Sequence, residues 1–112
     1  MATTFGHAFY DEQLKYLAAN DVDGLIDNHY NEDAVLTSVD FAVRGRPALK
    51  EHFRNYLKTL GNLKVTSTDK FYETEDTIFF EAHVISDLGP AIVFDGFVMK
   101  NGKISYHFTG VK

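Results

Sequence analysis

The apolar residues of this chain change their period once, and that change limits the fold more than any other feature. Up to Leu60 they recur at helical spacing; from Leu63 onward they alternate every second residue. Helices first and strands afterwards is the α+β order, in which helices pack on one side of a mostly antiparallel sheet. A length of 112 residues suits one domain, spanning 1–112, with a single modest core.

The spacing predicts a first helix over 8–19, with Phe9, Tyr16 and Leu17 on one face and Gln13 in its middle. Asn20-Asp21 breaks it, and Asp21 can cap a second helix over 22–30. That helix carries the stripe Val22, Leu25, Ile26 and Tyr30, with His29 inside it. A short strand is expected over 34–39. Gly45-Arg46-Pro47 opens a third helix, with Pro47 in the first turn, where a missing N–H costs nothing. Leu49, Phe53, Tyr56, Leu57 and Leu60 form its buried face, His52 lies at the edge, and Gly61 ends it. Four strands follow over 63–73, 77–88, 91–100 and 103–111. Turns at Gly89-Pro90 and Lys100-Asn101-Gly102 make them a meander.

Turn type sets pairing. A three-residue loop at Lys100-Asn101-Gly102 sets Met99 opposite Lys103, Phe97 opposite Ser105 and Asp95 opposite His107. Directly opposed side chains have Cβ atoms about 4.5–5.5 Å apart, close enough for a carboxylate to hydrogen-bond an imidazole. A three-residue loop at Leu88-Gly89-Pro90 adds His83 opposite Asp95. One face then holds Ile78, Phe80, Ala82, Val84, Ile92, Phe94, Val98, Ile104, Tyr106 and Phe108, almost wholly apolar. The other mixes Phe79, Ile85, Val93, Phe97 and Met99 with Glu81, His83, Asp95, His107 and Thr109. Either the mixed face meets water or it lines a pocket beneath the helices. The alternation alone leaves both open.

Composition removes several classes. Hydrophobic residues at 45% and charged residues at 24% are globular values, so disorder is excluded. A net charge of −5 with no basic run argues against nucleic acid. The absence of cysteine excludes thiol chemistry and thiolate metal sites. No His-x-His or His-x-x-x-His spacing supports a metal, and no metal or other cofactor is expected. No phosphate loop or serine nucleophile elbow occurs. Residues 1–8 lack a leader pattern and no stretch suits a membrane helix, so a cytoplasmic protein is the expectation. Ten Phe and six Tyr are many for this length and suggest a cavity wall, a partner surface, or both.

Several segments in order carry a family likeness. They are Asn20-Asp21-Val22-Asp23-Gly24-Leu25, Asp33-Ala34-Val35, Gly45-Arg46-Pro47-Ala48-Leu49, and the run Asp95-Gly96-Phe97-Val98-Met99-Lys100-Asn101-Gly102-Lys103-Ile104. Over Phe9 to Val111 the chain resembles the nuclear transport factor 2-like superfamily, nearest in pattern to SnoaL-like domains and ketosteroid isomerases. The resemblance implies a cone-shaped α+β fold with the mixed face turned into one internal pocket. It also implies a homodimer through the outer sheet face, here Phe80, Ile92, Phe94 and Tyr106. Asp95 matches the pocket aspartic acid of the isomerases. Their catalytic base falls at Ser38, which cannot abstract a carbon-bound proton, with Asp40 two residues on. Their pocket tyrosine falls at Gln13, with Tyr16 one turn later, and a supporting tyrosine falls at Phe53. A standard steroid isomerase is therefore not expected.

The expected catalytic row is Asp95, His107 and His83, with His107 as base, Asp95 as its orienter or acid, and His83 as a second proton carrier. Ligand contacts are expected from Gln13, Tyr16, His29, Ser38, Asp40, Phe53, Glu81, Phe97 and Thr109. Three functions fit: acid–base catalysis on a small, apolar, oxygenated ring compound; passive binding of such a ligand; or an interaction module using the apolar sheet face.

Overall fold

The computed structural model describes residues 4–112. Thr4 caps the first helix, α1 (Phe5–Ala18), by accepting the backbone N–H of His7 at 3.2 Å. His7 therefore sits in the first turn of this helix. Met1, Ala2 and Thr3 lie outside the described residues, so the reading of 1–8 as leaderless rests on sequence. Asp21 caps α2 (Val22–His29) by accepting the N–H of Gly24 at 3.0 Å. Helix α3 (Arg46–Leu60) opens behind Gly45 and stops at Gly61, whose φ values of 88° and 67° suit glycine.

The strands are β1 (Tyr30–Thr37), β2 (Ala42–Arg44), β3 (Lys64–Glu73), β4 (Thr77–Ser86), β5 (Gly89–Lys100) and β6 (Lys103–Val111). They form one sheet in the order β2-β1-β6-β5-β4-β3. Only the β1–β6 pair is parallel. Register shifts in three of the pairs mark bulges, which bend strands and curve the sheet. Strand β1 starts at Tyr30, four residues before the expected start at 34, directly from the end of α2. Strand β2 escaped the sequence because three residues are too few to show alternation. Leu25, Ile26, Tyr30, Ala34, Leu49 and Ile104 have no exposure and form the centre of the core. The Arg46 guanidinium donates twice to the Tyr30 carbonyl, at 3.1 and 2.9 Å, and so ties the start of β1 to the start of α3.

Two turns differ from the expected ones, with different consequences. Between β5 and β6 the loop is the two residues Asn101-Gly102, both left-handed (φ 56° and 78°), and Lys100 faces Lys103. A bulge then shifts the ladder by one more residue past Met99, which faces Ile104. The two shifts add, so Asp95 faces Thr109 rather than His107, and Phe97 faces His107 rather than Ser105. Past the bulge a displacement of two keeps His107 and Thr109 on their expected inner face and Tyr106 and Phe108 on the outer one. Before it the single-residue shift turns Ile104, expected on the outer apolar face, inward against Met99 and into the core. Between β4 and β5 the loop is also two residues, with Ser86 facing Gly89. This offset is odd, so β4 is inverted. Phe80, Ala82 and Val84 turn inward, while Phe79, Glu81, His83 and Ile85 turn outward. His83 faces Ile92, not Asp95.

Phe80 is thus buried inside and drops out of the outer surface, which retains Ile92, Phe94 and Tyr106. That surface also exposes Phe79, Ile85 and Phe108. Among the described residues no helix is long and apolar enough to cross a membrane.

Candidate acid–base site

Helices α1 and α3, the β1–β2 turn and the inner faces of β3 to β6 enclose a cavity of about 400 Å³. That is the size range of small-molecule sites. Its wall is apolar and aromatic, with Leu14, Leu17, Leu36, Phe53, Phe80 and Phe97 among the contributors. Asp95 and Thr109, opposed on β5 and β6, line it together with His107.

The histidine–aspartate contact exists, although the two residues are not directly opposed. His107 Nε2 lies 2.7 Å from Asp95 Oδ1, along a diagonal of the β5–β6 ladder. The His107 side chain is 5% exposed and that of Asp95 15%. On its other side, His107 Nδ1 lies 2.8 Å from the Tyr30 hydroxyl. Both ring nitrogens are therefore occupied, and His107 has no free lone pair for a ligand. Asp95 Oδ2 makes no hydrogen bond among the described residues. The group with spare capacity in this dyad is the carboxylate, which reverses the expected division of labour.

The polar contacts continue inward. Gln13 Nε2 lies 3.4 Å from the Tyr30 hydroxyl, and Gln13 Oε1 lies 2.8 Å from His29 Nδ1. Burial raises the Tyr30 phenol far above the ordinary tyrosine value, which keeps it a neutral donor. Burial lowers His29, favouring the neutral ring. His29 stacks on Phe9 at 3.9 Å between ring centroids.

The expected ligand contacts divide. Gln13, Ser38, Asp40, Phe53, Phe97 and Thr109 line the cavity. Tyr16 does not; its hydroxyl accepts from Asn28 at 3.2 Å on the surface where α1 meets α2. His29 packs behind Gln13 rather than beside the cavity. Glu81 is on the outer face, 2.9 Å from Lys112, whose ammonium holds the carboxyl below its usual range. His83 is also outside and pairs with Asp69 on β3. Both misplacements follow from the inverted β4.

Three lining or supporting residues escaped the site reading, Tyr30, Tyr10 and Tyr56, while His52 was expected at the edge of its helix without a named role. Tyr30 stood in an apolar stripe, yet a buried phenol needs a partner for its hydroxyl, and that was the available signal. His52 lines the cavity and is lowered by burial and then by His107. Tyr56 lines it as well and is raised, first by burial and then by Asp95. The Tyr10 hydroxyl meets Thr68 Oγ1 at 2.7 Å. Among the described residues no cluster of three His, Asp or Glu side chains has a metal-binding arrangement.

Comparison with solved structures finds the same fold. A polyketide cyclase-like protein from Sinorhizobium meliloti superposes with a TM-score of 0.79 at 17% identity, covering 92% of this chain and 94% of its own. An NTF2-like protein from Anabaena variabilis gives 0.79 at 17% identity, covering 100% and 95%. TerC, crystallised with polyporic acid, gives 0.80 at 12% identity, covering 97% and 92%. At these identities the likeness concerns fold alone. No curated protein sequence matches the chain. The family model of the SnoaL-like domain matches residues 8–107, nearly the whole chain, and the protein belongs to the SnoaL-like domain family.

Proposed function

We propose that this protein is a cofactor-free acid–base enzyme acting on a small, uncharged, oxygenated ring compound, with Asp95 as the group that takes and returns the proton. The observation that carries this reading is the asymmetry of the dyad. One Asp95 oxygen is held by His107, while the other makes no hydrogen bond and the carboxylate lines an apolar cavity. A carboxylate in such a setting can remove a proton from carbon next to a carbonyl. The resulting enolate can be reprotonated elsewhere (isomerisation) or attack a second carbonyl of the same molecule (cyclisation). Thr109, opposite Asp95, and His52 supply polar groups in the same lining. The polyketide cyclase-like neighbour is consistent with this class of chemistry.

Charge narrows the ligand. Asp40 and Asp95 line the cavity, whereas among the described residues no lysine or arginine does. A carboxylate or phosphate on the ligand would meet like charge without a counter-ion, so uncharged rings are favoured. The test is a panel of aromatic and alicyclic ketones, each paired with its carboxylate analogue. Binding of the ketones, with turnover lost in Asp95→Asn, is expected. Preference for the carboxylates, or turnover unchanged in Asp95→Asn, contradicts the reading. We also propose that the outer aromatics Phe94 and Tyr106, with Ile92, pair two copies of the chain. Tyr106→Glu then yields a monomer in sedimentation, and an unchanged mass contradicts the pairing.

A further inference from the structure

The buried contacts behind His107 form a chain that runs from the cavity to the seam between α1 and α2: Asp95, His107, Tyr30, Gln13, His29. Gln13, His29, Tyr30 and His107 are all at most 4% exposed, and each link from His29 to Asp95 is closed by protein atoms. Each link has one permitted sense once its ends are set. Neutral His29 donates from Nδ1 to Gln13 Oε1, and the Gln13 amide donates to the Tyr30 oxygen. The Tyr30 hydroxyl donates to His107 Nδ1, and His107 Nε2 donates to Asp95. All four donors point the same way, toward the carboxylate.

We propose that Tyr30, Gln13 and His29 are positioning residues: a one-way hydrogen-bond arm that fixes the proton of the neutral His107 ring on Nε2, aimed at Asp95, so that within the dyad the carboxylate is the group that exchanges a proton with a ligand. A second proton on His107 would sit on Nδ1 and face the Tyr30 oxygen. Tyr30 would then have to turn its own hydrogen to Gln13, where the amide N–H already points at it. Relief requires the Gln13 amide to flip and His29 to move its proton from Nδ1 to Nε2. The state of His107 is thereby coupled to the tautomer of His29, with two residues between them. The inference rests on the reading of Asp95 as proton carrier for its purpose, though not for its geometry.

The groups around the arm are few. Asp95 and Tyr30 contact His107, and His52 on α3 is within electrostatic reach of it. Tyr10 on α1 and Tyr56 on α3 feel the charge of Asp95. Glu12 on α1 acts on His29, and Tyr16 packs edge-on against it at 5.3 Å.

The experiment is nitrogen-15 NMR of the histidine rings in the intact chain, without ligand. At pH 7.5 His107 is expected to carry its proton on Nε2 and His29 on Nδ1, opposite tautomers in one spectrum. As the pH is lowered, the His29 proton moves to Nε2 in step with the second proton on His107. A His107 ring that keeps one proton until the chain unfolds, with His29 on Nδ1 throughout, also supports the arm. In Gln13→Leu the His29 tautomer no longer follows His107. His29 protonated on Nε2 at pH 7.5, or unchanged while His107 gains a proton, overturns the proposal. These wild-type outcomes do not require a variant to fold, and no turnover enters them. Failure of the catalytic reading therefore leaves the result legible.

Discussion

Two histidine–aspartate pairs lie on opposite faces of the same sheet, and they share little beyond their residue types. His107 and Asp95 face the cavity with side chains 5% and 15% exposed. His83 and Asp69 face outward at 50% and 34%. In the outer pair the hydrogen bond from His83 holds the Asp69 carboxyl below its usual range, and water screens the rest of the interaction. In the inner pair the imidazole is bonded at both nitrogens and packs edge-on against Phe97, with ring centroids 4.6 Å apart. The pair of residues alone does not make a site. An excluded solvent, a fixed ring and one unclaimed carboxylate oxygen distinguish the inner pair from the outer one.

Breaking the inner pair has the largest consequence. Asp95→Asn keeps the shape but removes the proton acceptor, and turnover of any ketone substrate is expected to fall by about 10²–10⁴-fold, read as kcat/KM. His107→Ala leaves the buried Tyr30 hydroxyl without its acceptor. The expected loss is about 1–3 kcal/mol for each group so orphaned, measured by urea unfolding. Acid sharpens the contrast through His29 and His52, both lowered by burial. Above the unfolded histidine value of about 6.5 neither fold nor unfolded chain binds the proton, and stability is flat. Below it the unfolded chain is protonated first, so stability falls as pH drops toward the folded values, at most about 1.4 kcal/mol per pH unit for His29. Melting curves between pH 7.5 and 5.5 read this directly, and His52→Phe should flatten them. Asp69 acts in a separate window: its contribution is present above about pH 4 and lost as pH falls through its lowered folded value. The smallest effect belongs to the outer pair. His83→Ala should leave both the melting temperature at pH 7.5 and the turnover within experimental scatter.

The order of elements and the shared face of Asp95 and His107 were legible in the sequence; that this face turns inward came from the family resemblance, because the alternation left it open. Capping residues, Gly61 and strict alternation are local signals and survive folding. Asp95 and His107 kept their shared face because two errors of one residue, a shorter turn and an added bulge, summed to an even number. His83 and Glu81 were lost because the single error at the β4–β5 turn was odd. Face assignment in a meander therefore depends on the parity of each loop, which Leu88-Gly89-Pro90 does not disclose. The support behind the dyad was hidden for another reason. Gln13, His29 and Tyr30 sat within helical apolar stripes, and a side chain's partner across the core has no sequence neighbour to announce it.

The central claim is that the inner carboxylate moves protons to and from a bound carbon acid. It is tested most directly by solvent deuterium exchange, followed by NMR, into ring ketones that bind the protein. Exchange next to the carbonyl in the wild type and in Asp69→Asn, with loss in Asp95→Asn, is the predicted result. Exchange that persists at the wild-type rate in Asp95→Asn, or its absence from every ketone that binds, would contradict the account.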